Sequence, residues 1–327
     1  MWEQINSNRL RSVALVAGMG LLLLALGYAI GYSFLDNGLG GMAVAGVVWG
    51  IMLLVSMFQG DGILLGVAGA RKIRKEDDPR LYNVVEEMSI AAGLSQVPDV
   101  YIIEDQALNA FAAGRNPKRA AVAITAGLLT KLNRDELQGV IAHEIAHIKN
   151  RDVSLMAISA VMLGAVVMLS WYASRTLFFT GGRRRSGQNS GGGAIVAIIG
   201  LVLIILAPIF AQLLHLAISR KREYLADASS ALYTRYPEGL ASALEKMADS
   251  PTQVRAANQA TAPMYTVSPF TRRGASLKSL LSTHPPTQER IRILRAMGGS
   301  TYLHYEKAYE GVRGKGKVIP KSALAEG

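Results

Sequence analysis

Four long stretches of this chain contain no Asp, Glu, Lys or Arg, and they constrain its fold more than any other feature. The first lies between Arg11 and Asp36, the second runs from Asn37 to Gly60, the third from Val153 to Ser174, and the fourth from about Ala194 to Ser219. A helix needs about 20 mostly apolar residues to cross the hydrocarbon core of a bilayer, and each stretch is long enough. We therefore expect a membrane protein with about four hydrophobic helices.

The composition agrees with a membrane protein. Half of the 327 residues are apolar and only 18% are charged, against about 25% in soluble domains. The net charge of +11 is not accompanied by a nucleic-acid-binding motif, and aromatic residues make up only 7%, so we expect anionic lipid rather than nucleic acid as the partner. The chain contains no cysteine, which excludes disulfides, thiolate metal sites and a cysteine nucleophile.

Basic residues around the first two stretches predict their orientation. A short polar turn at residues 35–40 joins the two stretches into a hairpin, which we interpret as an uncleaved anchor. Arg9 and Arg11 precede the hairpin, four basic residues follow it from Arg71 to Lys75, and the turn carries only Asp36. The positive-inside rule therefore places the N-terminus and the chain after Arg71 in the cytoplasm.

The second pair of stretches presents a conflict. The loop between them, residues 181–193, contains three consecutive arginines, which a fully spanning hairpin would place outside, against the rule. Both stretches are long enough to span, which favours a multi-pass topology. A hairpin that enters the bilayer only in part, or packs on the protein, remains open.

The segment His143-Glu144-Ile145-Ala146-His147 carries the clearest chemical signal. On a helix the two histidines lie one turn apart on one face, where both can bind the same Zn²⁺, and Glu144 can act as general base on a metal-bound water. Asn133 followed by Glu136 is a capping-box pattern that predicts the start of this helix. The alternative is two hydrogen-bonded histidines on an ordinary helix.

A hydrolytic zinc site needs a third protein ligand and an open position. Glu223 can supply that ligand, and Asp227, one turn further along, can accept the free N–H of a ligating histidine. The alternative for Glu223 is a salt bridge with neighbouring arginines on a solvated helix. His215 lies about 12 Å before Glu223 by helical rise, so we interpret it as an interfacial histidine rather than a ligand.

Three short strands are predicted between the second hairpin helix and the His-Glu-x-x-His helix. They cover residues 100–103, 109–113 and 120–125, with a turn at 114–117 between the last two. An edge strand at this position can pair with an extended substrate chain through main-chain hydrogen bonds.

Four segments together resemble the HtpX-type membrane zinc endopeptidases, which are relatives of the Ste24 prenyl-protein protease. They are the His-Glu-Ile-Ala-His segment, Ser219–Asp227, Asn109–Gly114, which is similar to the family's substrate-strand motif, and Thr283–Ile291, which is similar to its C-terminal His-Pro motif. The resemblance implies a cytoplasm-facing site that cleaves damaged or misassembled membrane proteins. It also makes Asn109 and His284 candidates for holding substrate backbone, with His284 a possible stabiliser of the oxyanion; a turn residue and a structural histidine are the alternatives.

We therefore predict a mainly α membrane protein with a small α+β zincin-type catalytic domain in the cytoplasm. Residues 1–70 form the N-terminal hairpin, 71–152 the part with the sheet and the His-Glu-x-x-His helix, 153–218 the second hairpin, and 219–327 the helical part with the third ligand. One Zn²⁺ per chain is held by His143, His147 and Glu223, with Glu144 as base and Asp227 behind the ligands.

The predicted activity is endopeptidase cleavage of unfolded membrane proteins at the cell inner or plasma membrane. A specific processing protease of Ste24 type is an alternative, although those relatives have more membrane helices. A non-catalytic metal-binding scaffold is another, but Glu144 argues against it because a structural site has no use for an unligated glutamate. The sequence leaves the oligomeric state open.

Overall fold

The computed structural model describes residues 2–153, 220–257, 261–269, 284–314 and 316–326, and isolated positions between 163 and 209. Residues 220–234 are helical, and we call this helix α6. The other elements, in chain order, are α1 (Trp2–Leu35), α2 (Gly38–Val67), β1 (Ala70–Lys72), α3 (Pro79–Ala91), β2 (Asp99–Ile103), β3 (Ala110–Asn116), β4 (Arg119–Thr125), α4 (Ala126–Lys131), α5 (Arg134–Lys149), α7 (Pro237–Asp249), a 3-10 turn (Ala262–Met264), α8 (Thr287–Arg295), α9 (Tyr302–Arg313) and α10 (Lys321–Glu326).

Helices α1 and α2 form the predicted hairpin. Asn37 caps the start of α2, where its side chain accepts a hydrogen bond of 2.8 Å from the backbone N–H of Gly40. The two helices touch backbone to backbone: a Cβ added to Gly41 would lie 2.3 Å from the carbonyl oxygen of Gly27 and 2.6 Å from the Cα of Gly31. Glycine at this crossing therefore sets the close approach of the helices.

Helix α2 contains the second apolar stretch. Among the described residues, it is the one helix that is long and apolar enough to cross a membrane. The first stretch lies in α1, where the apolar part, Val16–Tyr32, is shorter. The third and fourth stretches lie almost wholly outside the described residues, so four hydrophobic helices stay a prediction. On α2, Val47, Ile51, Leu54 and Phe58 follow helical spacing and are all exposed, which gives one apolar face that suits contact with lipid.

The sheet has four strands in the order β1-β2-β4-β3. Strand β2 runs parallel to β4, and the other two neighbouring pairs are antiparallel, so β3 lies at one edge. The three predicted strands are present, but β1 was not predicted. The turn predicted at 114–117 is wrong because it begins too early: β3 continues to Asn116. The Asn116 side chain accepts hydrogen bonds from the backbone N–H groups of Lys118 and Arg119, and these contacts close the turn between β3 and β4.

Helix α5 lies in the middle of the main core, which it forms with α3, α7 and the sheet. The predicted capping box at its start is confirmed: the Asn133 side chain accepts from the Glu136 N–H at 2.9 Å, and the Glu136 carboxylate accepts from the Asn133 N–H at 2.9 Å. Every residue from Gly139 to Ile148 is buried. The core therefore surrounds the His-Glu-x-x-His segment on all sides.

Candidate metal centre

Helices α5 and α6 bring two imidazoles and a carboxylate together. The Nε2 atoms of His143 and His147 lie 3.3 Å apart. Oε2 of Glu223 lies 3.7 Å from Nε2 of His143, and Oε1 of the same carboxylate lies 3.4 Å from Nε2 of His147. All three side chains are buried, so the predicted ligands converge in a place that solvent does not reach.

The second ring nitrogen of each histidine faces a carboxylate. Nδ1 of His143 lies 3.0 Å from Asp227, as the sequence predicted, and Nδ1 of His147 lies 3.2 Å from Asp152. A carboxylate accepts the Nδ1–H, which fixes the tautomer and leaves the lone pair of Nε2 facing the other ligand. In its neutral form, each histidine therefore presents the lone pair of Nε2 to the same point.

Two imidazole nitrogens and a carboxylate that converge in a buried site need positive charge between them, which a bound metal ion supplies once the imidazoles are neutral. Zinc bonds of about 2.0–2.1 Å in a tetrahedral arrangement place neighbouring ligand atoms roughly 3.3–3.4 Å apart. The two histidine nitrogens are 3.3 Å apart, which matches that value, and each carboxylate oxygen of Glu223 lies within 3.7 Å of one of them. Two histidines and one glutamate are also a donor set that catalytic zinc sites use, with one position left open. The residues therefore fit zinc.

Charged neighbours keep the acidic groups of the site ionised. Burial disfavours charge on Glu223, but His284 and the two ligand histidines hold the pKa of its carboxyl well below the usual range. Burial also opposes charge on Asp227, and the Arg290 guanidinium outweighs it and lowers the pKa of that carboxyl. For His143 burial alone would lower the pKa, but the carboxylates of Asp227 and Glu223 raise it to about 9.

Arg290 is a buried cation behind the ligands. It donates two hydrogen bonds to Asp227, of 2.9 and 2.7 Å, and one of 2.8 Å to the carbonyl oxygen of Thr266. Its side chain is only 1% exposed, so its charge is balanced by carboxylates inside the protein rather than by water. Arg290 thereby connects Asp227, which orients His143, to the segment around Thr266.

Glu144, the predicted base, is 1% exposed and contacts that same segment. The Thr266 hydroxyl lies 2.7 Å from its Oε1, within donating distance, and also lies 3.0 Å from the carbonyl oxygen of Ala110. The main-chain N–H of Thr266 donates to the same carbonyl at 2.9 Å. The predicted base is therefore covered by residue 266 next to the edge strand.

The other two predicted site residues also lie here. Nδ1 of His284 lies 3.0 Å from Glu223, so His284 lies beside the ligands, and its role toward a substrate stays a prediction. The Asn109 amide, predicted to hold substrate backbone, donates from Nδ2 to the Val267 carbonyl at 2.9 Å, and its Oδ1 accepts from the Val267 N–H at 3.3 Å. In this structure Asn109 thus binds backbone, but the backbone belongs to the chain itself. His215 lies outside the described residues.

Sequence reasoning missed three residues of the site. Asp152 follows His147 by five residues, and that short spacing could have identified it. Arg290 lies within the segment that carried the resemblance, but no role was assigned to it. Thr266 has no motif around it that points to the site.

Comparison with known proteins identifies the family. The sequence model described as peptidase family M48 matches residues 75–298, more than half of the chain. The chain belongs to peptidase family M48.

Relatives cover nearly all of the chain. A "Protease HtpX homolog" from Dictyoglomus turgidum is 44% identical over 297 residues, which are 91% of this chain and 95% of the relative. Another from Streptococcus pneumoniae is 42% identical over 301 residues, 91% of this chain and 100% of the relative. The crystal structure of S. mikatae Ste24p is similar with a TM-score of 0.45 and 20% identity, over 89% of this chain and 66% of that one.

The match to the family model and the two HtpX homologues confirm the resemblance and the class of enzyme. The chain is an M48 metalloprotease, a hydrolase whose cofactor is zinc, and the cluster of His143, His147 and Glu223 offers a metal-binding site. With the apolar helix α2, the findings support a membrane-associated protease.

Proposed function

We propose that this M48 peptidase is a membrane-anchored endopeptidase that cleaves misfolded or damaged membrane proteins at the cytoplasmic surface. The observation that carries the catalytic part is the convergence of three buried acceptors directly beside Glu144 on α5. The identity of the substrates rests on the family resemblance.

His143, His147 and Glu223 hold the zinc in this proposal. When bound, zinc supplies a Lewis acid that polarises a peptide carbonyl and makes a water acidic near neutral pH. Asp227 and Asp152 accept the Nδ1–H groups of the two histidines at 3.0 and 3.2 Å, and so orient both rings toward the shared point.

Glu144 moves the proton. Its carboxylate accepts a proton from the attacking water and returns it to the nitrogen of the leaving amine. His284 stabilises the oxyanion or holds the substrate backbone, and its contact with Glu223 supports a place beside the reacting carbonyl. Burial of the whole cluster excludes bulk water, which strengthens each of these electrostatic interactions.

The membrane placement rests on α2 and its flanks. α2 is followed within a few residues by Arg71 and Lys72, and the turn before it carries only Asp36. Basic residues on one side of a hairpin support a cytoplasmic position for that side. The sheet begins at Ala70, directly after α2, so the catalytic part would lie close to the bilayer surface.

Casein degradation by the purified full chain in detergent tests this function. The protein is stripped with a chelator and zinc is added back to the parent, to Glu144→Gln and to Glu86→Gln. Glu86 carries a surface carboxylate that contacts Lys75, so it is a matched control for the loss of one acid. We expect zinc-restored cleavage by the parent and by Glu86→Gln, and at least a hundredfold lower rate for Glu144→Gln, since loss of a general base costs about 10²–10⁴-fold.

Two results would argue against the proposal. Equal cleavage by the parent and Glu144→Gln would mean that another base, or another protease, is responsible. Zinc binding without any cleavage would favour the narrow processing protease or the scaffold.

A further inference from the structure

Residues 265–267, which we call the internal strap, lie along the start of the edge strand β3. Tyr265 has extended backbone angles, and its ring packs edge-on against Phe111 of β3, with ring centroids 5.3 Å apart. The main-chain N–H of Thr266 donates to the carbonyl of Ala110 at 2.9 Å. The strap therefore occupies the position at which an added strand would begin to pair with this edge.

Every main-chain polar group of Thr266 and Val267 has a partner in the site. The N–H of Thr266 is bound by Ala110, and its carbonyl accepts from Arg290 at 2.8 Å. The N–H and the carbonyl of Val267 are both bound by the amide of Asn109. None of these four contacts depends on the side chain at position 266 or 267, and this is how a site recognises an extended peptide of any sequence.

One side chain of the strap, that of Thr266, contacts the proposed base. The Thr266 hydroxyl is 2.7 Å from Oε1 of Glu144. Thr266 and Glu144 are each 1% exposed, and His143 and Glu223 are equally buried. A peptide bond cannot approach Glu144 along β3 while the strap is in this position.

The geometry points to an internal pseudosubstrate: the strap holds the backbone-binding groups of the active site, and an extended substrate peptide must displace it to be cleaved. This inference rests on the proposed function, because it takes Glu144 as the base. It adds a competition between the chain's own backbone and the substrate for Ala110, Asn109 and Arg290.

A substitution of Thr266 tests the competition. Valine has nearly the same shape but no hydroxyl, so Thr266→Val leaves the buried Oε1 of Glu144 without this donor only while the strap is docked. The docked state is weakened, and we expect KM for a fluorogenic peptide to fall at least tenfold with kcat unchanged. Thr266→Ser keeps the hydroxyl and should behave as the parent.

The matched control is Thr130→Val. It removes a threonine hydroxyl that donates to the backbone within α4, outside the site, and should leave KM and kcat within twofold of the parent. A fall in kcat at constant KM for Thr266→Val would overturn the proposal, because it would make Thr266 a residue that positions the base. Unchanged kinetics would overturn it as well.

Hydrogen exchange tests displacement without turnover. Zinc-loaded Glu144→Gln is mixed with a synthetic peptide of residues 262–269, Ala-Pro-Met-Tyr-Thr-Val-Ser-Pro. At saturation we expect the chain's own Thr266 and Val267 amides to exchange at least tenfold faster than without the peptide, while exchange in α5 stays the same. Saturable binding with no change at residues 266–267, or no binding at all, would overturn the proposal.

The two tests separate this inference from the proposed function. If the parent fails to cleave casein with zinc bound, the proposed function fails, and the exchange experiment still reports whether the strap leaves. If cleavage depends on Glu144 but the strap amides stay protected, the function stands and the pseudosubstrate does not.

Discussion

Asp152 gives the sharpest test of how the metal site is held. Asp152→Asn keeps the shape of the side chain but removes the charge that faces Nδ1 of His147 at 3.2 Å in a buried position. A hydrogen bond to a charged group contributes about 1.5–3 kcal/mol. Loss of such a partner behind a metal ligand lowers metal affinity about 10–100-fold, equivalent to roughly 1.4–2.8 kcal/mol. The two estimates agree, so we expect the zinc Kd to rise 10–100-fold.

The assay is competition for zinc between the purified protein and a chromophoric chelator at pH 7.5. Asp99→Asn is the matched control, because Asp99 is an exposed carboxylate that contacts only Lys72 among the ion pairs of the described residues. We expect its zinc Kd to stay within twofold of the parent. If Asp152→Asn bound zinc as tightly as Asp99→Asn, the carboxylate would not orient His147, and the reasoning about both histidines would be refuted.

Three further predictions concern protonation, packing and capping. Because neighbouring carboxylates outweigh burial and raise the pKa of His143 to about 9, zinc binding at pH 7–8 should release a proton from this residue, and the release should fall toward zero above pH 9; calorimetry in two buffers of different ionisation enthalpy measures it. Gly41→Ala places a methyl group 2.3 Å from the Gly27 carbonyl oxygen and should destabilise the hairpin by about 1–3 kcal/mol, whereas Gly50→Ala, in open space on the same helix, should not; thermal unfolding in detergent compares them. Asn133→Ala removes the cap of α5 and should lower the free energy of unfolding by about 1 kcal/mol in a denaturant titration.

Local patterns predicted the elements that local interactions stabilise. The start of α5 was predictable because the Asn133 and Glu136 contacts lie within one turn. Strand β1 was not, because it has three residues, two of them exposed and basic, and its partner β2 lies about 30 residues later. Its basic side chains were instead used to predict the orientation of the hairpin.

The same distinction applies to the site. His143 and His147, and Glu223 and Asp227, are pairs spaced by one helical turn, and helix geometry brings each pair to one face. The contact of Thr266 with Glu144 joins positions 122 residues apart. Such a contact depends on the path of the whole chain, so no local residue pattern or spacing predicts it.

The convergence of His147 and Glu223 also has a consequence for the unfolded chain. A metal that stays bound to both residues closes a loop of about 75 residues. By the chain-entropy estimate for covalent cross-links, closing such a loop lowers the conformational entropy of the unfolded state by the equivalent of about 4.5 kcal/mol at 25 °C. The loop contains the third and fourth apolar stretches, so its closure ties their two ends together. In a chain without cysteine, zinc is thus also a removable cross-link, which a chelator can open and a new ion can close.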